Sequence, residues 1–235
     1  MARPFLTACW SNLCLFSYAV PPELLQPRLP PGLELDTRDG HAFVSLVAFD
    51  FLRTRVRGIP WPGFRDFPEL NLRFYVRHGT ERGVVFVREF VPQRLVAWVA
   101  RTLYNEHYLA TPMTSTIHDE ADRLVTEHRL HWHGTEQRVG VTGSKPAVVP
   151  AKHSTEHFFK EHQWGFGMDR HGRTTRYEVR HPVWSVYPVQ SYHVDLDWAT
   201  VYGPEWAVLQ GREPDSVVLA AGSEIAVFPK GPPLS

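Results

Sequence analysis

Between Leu70 and Arg77 the chain alternates without interruption. Leu70, Leu72, Phe74 and Val76 share one side of an extended strand, and Asn71, Arg73, Tyr75 and Arg77 share the other. Such a strand must divide an apolar space from a polar one. Residues 79–83, bounded by Gly79 and Gly83, then turn the chain. The apolar run at 84–90 returns, which predicts an antiparallel hairpin with a short loop. Further β runs are predicted at 41–51, 124–133 and 173–179, and a closing strand pair around Gly222 at 217–228. Helices are few. Residues 21–25 carry proline near a helix start, 93–103 follow Pro92 with apolar residues at helical spacing, and 154–161 open on Ser154 as an N-cap.

The 20 prolines and 16 glycines are spread along all 235 residues, as turns between short strands require, and no linker marks a boundary. One domain, 1–235, is expected. It should be mainly β with a few helices (α+β): an antiparallel, closed or nearly closed β-barrel or sandwich under covering helices. The 25 basic and 25 acidic residues cancel, so no electrostatic handle for nucleic acid or an anionic membrane exists. No run of about 18 apolar residues is present, so no membrane span is expected. The start, Met1-Ala2-Arg3-Pro4, shows no leader, and a cytoplasmic location is expected. Cys9 and Cys14 lack a second pair and are expected as buried, reduced thiols.

Three clusters could carry chemistry. Arg101, Tyr104, Asn105, Glu106 and Tyr108 fall within eight residues with His107. Arg101 could clamp a carboxylate through two N–H bonds, Glu106 or His107 could move protons, and the phenols could donate hydrogen bonds. The same set would also suit a capped helix end with packed aromatics. Glu69, Asn71 and Arg73 form the polar side of the alternating strand, with Glu89 on the return strand as a partner for Arg73. His131 and His133 would share a face of a strand near Glu136, but no further ligand follows. No metal is therefore expected, with His131 and His133 as weak candidates. No cofactor is expected either, since no nucleophile elbow, dinucleotide fingerprint or phosphate loop is present; Gly165-Phe166-Gly167 is too short for one.

The segments Val20–Pro27, Leu29–Asp36, Phe67–Arg77, Arg101–Tyr108, Ser154–Phe159 and Val179–Trp184 together resemble, in order and spacing, the YqjF-like family, domain of unknown function 2071. The resemblance covers nearly the whole chain. It implies an acetoacetate decarboxylase-like fold around a central cavity. Catalysis of that type uses a lysine amine that forms a Schiff base with a keto acid. The only lysines here are Lys145, Lys152, Lys160 and Lys230, all in late, polar segments, and none precedes residue 145. The resemblance therefore implies a cavity without its Schiff-base lysine.

The expected function is the binding of a small organic acid, keto or hydroxy, in a pocket lined by Glu69, Asn71, Arg73, Arg101, Tyr104, Asn105, Glu106 and Tyr108. Two alternatives stay open: a non-catalytic binding or interaction domain, and a lysine-dependent decarboxylase or aldolase-type enzyme. Whether catalysis occurs, the ligand's identity and the oligomeric state are not fixed by these residues.

Overall fold

The computed structural model describes residues 3–234. Its longer strands are β1 (Leu6–Val20), β2 (Ala42–Val56), β3 (Phe67–His78), β4 (Glu81–Val91), β5 (Tyr108–Ala110) and β6 (Met113–Asp119). They continue as β7 (Arg123–Trp132), β8 (Thr135–Ser144), β9 (Trp164–Met168), β10 (Thr174–Arg180), β11 (Val189–Asp195) and β12 (Ser216–Val227). The helices are α1 (Pro22–Leu25), α2 (Arg94–Tyr104), α3 (Thr155–Lys160) and α4 (Trp198–Tyr202). No helix among the described residues is long and apolar enough to cross a membrane.

The strand pairings close on themselves. β3 pairs with β2, β2 with β1, β1 with β12, β12 with β10, β10 with β9, β9 with β4, and β4 again with β3. All of these pairs are antiparallel except β9 with β4. The result is a barrel-like ring. A separate antiparallel sheet, ordered β11-β8-β7-β6, packs against its outside.

β3 is the shared wall. Leu70, Leu72, Phe74 and Val76 are buried between the ring and the second sheet, with Phe16 and Leu46 from the ring and Leu124, Leu130, Val139 and Val141 from the sheet. Phe67 and Tyr75, of the opposite parity, belong to the core inside the ring with Leu13, Leu15, Val47, Phe49, Val218 and Ala220. The predicted hairpin is present: His78 pairs with Glu81 across a Gly79-Thr80 loop, and Gly79 has φ +60°.

The other predicted elements stand with shifted ends, but two readings need correction. β12 is one continuous strand, so Gly222 does not separate a strand pair. Gly222 (φ +78°) lies opposite Ser11, where an added Cβ would fall 2.0 Å from the Trp10 carbonyl oxygen. Only glycine lets β1 and β12 approach this closely. The second correction concerns His133. It stands not on β7 but in the β7–β8 turn, where His133 (φ +49°) and Gly134 (φ +81°) are both left-handed.

Cys14 is fully buried with its Sγ 2.9 Å from Thr126 Oγ1, and desolvation pushes its thiol up to about 12; Cys9 is only half-buried.

Gly211 and Gly222 differ in the strain a side chain would meet. Gly211 (φ +68°) has no atom near its virtual Cβ, so Gly211→Ala should cost about 1 kcal/mol, the left-handed penalty alone. Gly222→Ala should cost more than twice as much in urea unfolding, because the Trp10 carbonyl must also move. Equal costs would show that β1 and β12 are not held this close.

Candidate functional site

The ring interior is not filled. Side chains from β1, β2, β3, β4, β9, β10 and β12, with α2 and α3, enclose a cavity of about 320 Å³, toward the low end of the roughly 300–1,000 Å³ typical of small-molecule pockets. Most of its wall is apolar and aromatic. Phe49, Phe51, Phe67 and Phe86 come from the ring, with Trp10, Trp164 and Trp184. α2 contributes Leu95, Val96, Val99, Ala100 and Tyr104, and the lining residues Trp98 (57% exposed) and Trp61 (half-exposed) also reach solvent.

The polar part begins on β3. Glu69, Asn71 and Arg73 alternate onto the inner face, and Glu89 of β4 lies opposite Asn71 in the ladder. Asn71 Nδ2 donates to Glu69 Oε1 at 2.9 Å, and the Tyr108 hydroxyl donates to Glu69 Oε2 at 2.9 Å. Glu106, just past the left-handed C-cap Asn105 of α2, turns its carboxyl toward Gly167 on β9, where an added Cβ would lie 3.4 Å from Oε1. Glu89 Oε2 and Glu106 Oε1 are buried without a hydrogen-bond partner.

Burial dominates the charge states. Desolvation pushes Glu69 up to about 7, against the opposing pull of the Asn71 and Tyr108 hydrogen bonds and of Arg73. Glu106 is pushed up to about 8 by desolvation, with Lys230 pulling the other way. Glu89 is held well above the carboxylate range by desolvation and then by the Glu106 and Glu69 charges. Burial also raises the phenols of Tyr108 and Tyr177.

A cationic side faces this cluster. Arg73, 8% exposed, donates from Nη2 to the Phe159 carbonyl at 3.1 Å, while its Nε has no acceptor. Lys160 of α3 is fully buried and pairs with Glu161, whose Oε1 also accepts from the Trp184 backbone N–H. His162 is buried with both ring nitrogens unpartnered, and desolvation followed by the Arg73 charge holds it well below its usual range.

Of the residues expected to line the pocket, Glu69, Asn71, Arg73, Tyr104, Glu106 and Tyr108 do so. Arg101 and Asn105 do not. Arg101 is exposed, roughly 140° round the helix from Val96, which faces the cavity. Asn105 is exposed and donates from Nδ2 to the Met168 carbonyl as part of the helix end. Glu89 lines the cavity, but it is not the ion-pair partner expected for Arg73. Lys160, expected on a short helix in a late, polar segment, is a buried wall residue. His162 and Tyr177 were not anticipated. Gly165 was the available signal for Tyr177, since an added Cβ would lie 2.3 Å from the Tyr177 ring across the β9–β10 pair. His131 is half-exposed and 3.4 Å from Glu136, and His133 packs on Trp132, so the pair does not share a strand face.

Residues 7–224 match the model of the family DUF2071, described as an uncharacterized conserved protein. The uncharacterized protein YqjF of Bacillus subtilis (strain 168) is 33% identical over 121 residues, 51% of this chain and 50% of that protein. The match thus spans about half the length of this curated relative. Among solved structures, acetoacetate decarboxylase from Legionella pneumophila superposes with a TM-score of 0.64 at 16% identity, covering 100% of this chain and 88% of that one. An acetoacetate decarboxylase-like enzyme from Sphingomonas wittichii RW1 gives 0.63 at 15%, covering 97% and 94%. The enduracididine biosynthesis enzyme MppR complexed with pyruvate gives 0.62 at 14%, covering 97% and 89%. These likenesses establish an acetoacetate decarboxylase-like fold, and the family match over nearly the whole sequence makes this chain a member of the DUF2071 family.

Proposed function

We propose that the cavity binds a small organic acid, keto or hydroxy, with its carboxylate at Arg73 and its apolar body against the aromatic wall. Arg73 carries this reading: a buried guanidinium on the cavity wall, with one backbone acceptor and an unpartnered Nε. A cation so poorly matched inside a protein is costly unless an anion completes it. The raised carboxyls support the same reading. Neutral Glu89 and Glu106 can donate hydrogen bonds to an acid instead of repelling it. That one solved structure of this fold holds pyruvate is consistent with an acid of this class.

One observation favours a second reading, an amine adduct with a carbonyl ligand: Lys160 lies on the cavity wall with its side chain wholly buried. Its pairing with Glu161 opposes this, because the nitrogen that would attack a carbonyl is already engaged by the carboxylate.

The charge states give the binding a pH dependence. For Glu69 and Glu106 the folded values lie above the ordinary value of 4.5. The stability these groups contribute is therefore complete below that value and is lost as pH rises through about 7 and about 8. Over the same window the cavity gains negative charge while the ligand's carboxylate is already ionised.

Three outcomes are expected. In calorimetric titration with a panel of keto and hydroxy acids, Arg73→Met should weaken the tightest binder by roughly 10–100-fold, the worth of a charge-assisted pair. Arg101→Ala should leave it unchanged. A wild-type protein that binds no acid, or an Arg73→Met variant that binds as well, would overturn the reading. Affinity should be highest below about pH 6 and fall about tenfold or more by about pH 9, and Glu106→Gln should flatten the upper part of that fall. Borohydride reduction with acetoacetate should leave the protein mass unchanged; a modified Lys160 peptide would establish the amine adduct instead.

A further inference from the structure

We propose that Glu69 and Glu89 act on the bound acid as a base and acid pair, moving a proton between the carbon beside its keto group and the keto oxygen. The site would then be a tautomerase of aryl 2-keto acids that needs no amine adduct. This rests on the acid-binding reading above and adds to it a reaction and a substrate class.

The two carboxyls are placed for different tasks. Glu69 and Asn71 share the inner face of β3, and Glu89 lies across the ladder from Asn71, so Glu69 and Glu89 are diagonal neighbours on one wall. Two carboxylates this close in a desolvated space do not both ionise. The hydrogen bonds decide which one does. Glu69 accepts from Asn71 Nδ2 and from the Tyr108 hydroxyl, and Arg73 lies further along the same face, so the anion is favoured there. Glu89 is 1% exposed, has no cation beside it and carries an oxygen with no donor, so it keeps its proton. The Tyr108 hydroxyl is within hydrogen-bonding reach of both. The direction of the charge shifts agrees. Glu69 near 7 suits a base at neutral pH, and Glu89, well above the carboxylate range, suits an acid.

The step balances. With the ligand's carboxylate at Arg73, Glu69 takes a proton from C3, and the C3–H electron pair becomes the C2–C3 π bond. The carbonyl π pair moves to the C2 oxygen, which takes the Glu89 proton. Glu69 is left neutral and Glu89 ionised, and transfer through Tyr108 restores both. Nothing is oxidised and no bond to the protein forms.

The wall selects the substrate class. A three-carbon acid would leave most of the 320 Å³ empty and the rings of Phe49, Phe67, Phe86 and Trp164 without contact. An aryl group at C3 fills that space and makes the C3 proton more acidic.

The test is phenylpyruvate in deuterated buffer near neutral pH, with loss of its C3 proton signal followed by NMR and binding measured in parallel by calorimetry. Wild-type protein should exchange the C3 protons about 100-fold or more above the buffer rate, as positioned acid–base groups do. Glu69→Gln and Glu89→Gln should each lose most of that gain while still binding phenylpyruvate, and Arg101→Ala should keep it. Borohydride should trap no adduct. If phenylpyruvate binds but exchanges at the buffer rate, or if Glu69→Gln exchanges like wild type, the tautomerase is overturned and acid binding stands. Trapping of Lys160 would replace the carboxyl pair with an amine mechanism. If only other acids bind, the aryl class falls, and if none binds, both readings fall together.

Discussion

The fold and the site both depend on one wall, the β3 strand with its two unlike faces. On the outer face, Leu70, Leu72, Phe74 and Val76 are buried between the ring and the second sheet. Each is worth about 1.5–3 kcal/mol of burial, so the face as a whole contributes on the order of 6–12 kcal/mol. Glu69, Asn71 and Arg73 have no choice in the matter, because a strand cannot bury one parity without committing the other. The apolar face fixes the strand, and the polar face is carried into the ring with it. A one-residue slip of register would exchange the two and lose both.

The interior that results is unusual in its charge. Three carboxyls gather without an ion-pair contact among the described residues, since Arg73 bonds a backbone carbonyl and Lys160 is taken by Glu161. Desolvation outweighs the local donors at every one of the three. The space around them is made by subtraction. Gly165 and Gly167, two apart on β9, omit the side chains that would collide with the Tyr177 ring and crowd the Glu106 carboxyl. The cavity is thus a property of what the strands leave out as much as of what they present.

Much of this was legible in the sequence, and the failures have physical causes. The alternation at 70–77 identified β3 and its two faces, because period two is unambiguous over eight residues, but it did not say whether Arg73 faces solvent or the interior. The family resemblance supplied the fold and the cavity. β1 escaped notice as a strand because Asn12, at φ +55°, interrupts its alternation where its register with β2 shifts. Arg101 was placed in the pocket by nearness in sequence to Tyr104 and Glu106, although the helical phase of α2 turns it outward. Lys160 was misjudged for the opposite reason. α3 buries Phe158, Phe159 and Lys160 in succession, so its six residues carry no one-sided pattern that would flag a charged residue as interior.

Ring closure also has a consequence for how copies of this chain meet in a crowded solution. A strand with a partner along each side offers little template to a neighbour, and the circuit gives β1, β2 and β3 such partners on both sides. Borders with a partner on one side only include β5 beside the ring and β6 and β11 in the four-stranded sheet. There the risk of intermolecular stacking is blunted. β11 follows Pro188, meets β8 through an irregular register at Thr142 and Gly143, and shows mostly polar side chains to water. The apolar strands β1, β2 and β3 are sealed in the circuit, and the hem at β11 is hydrophilic.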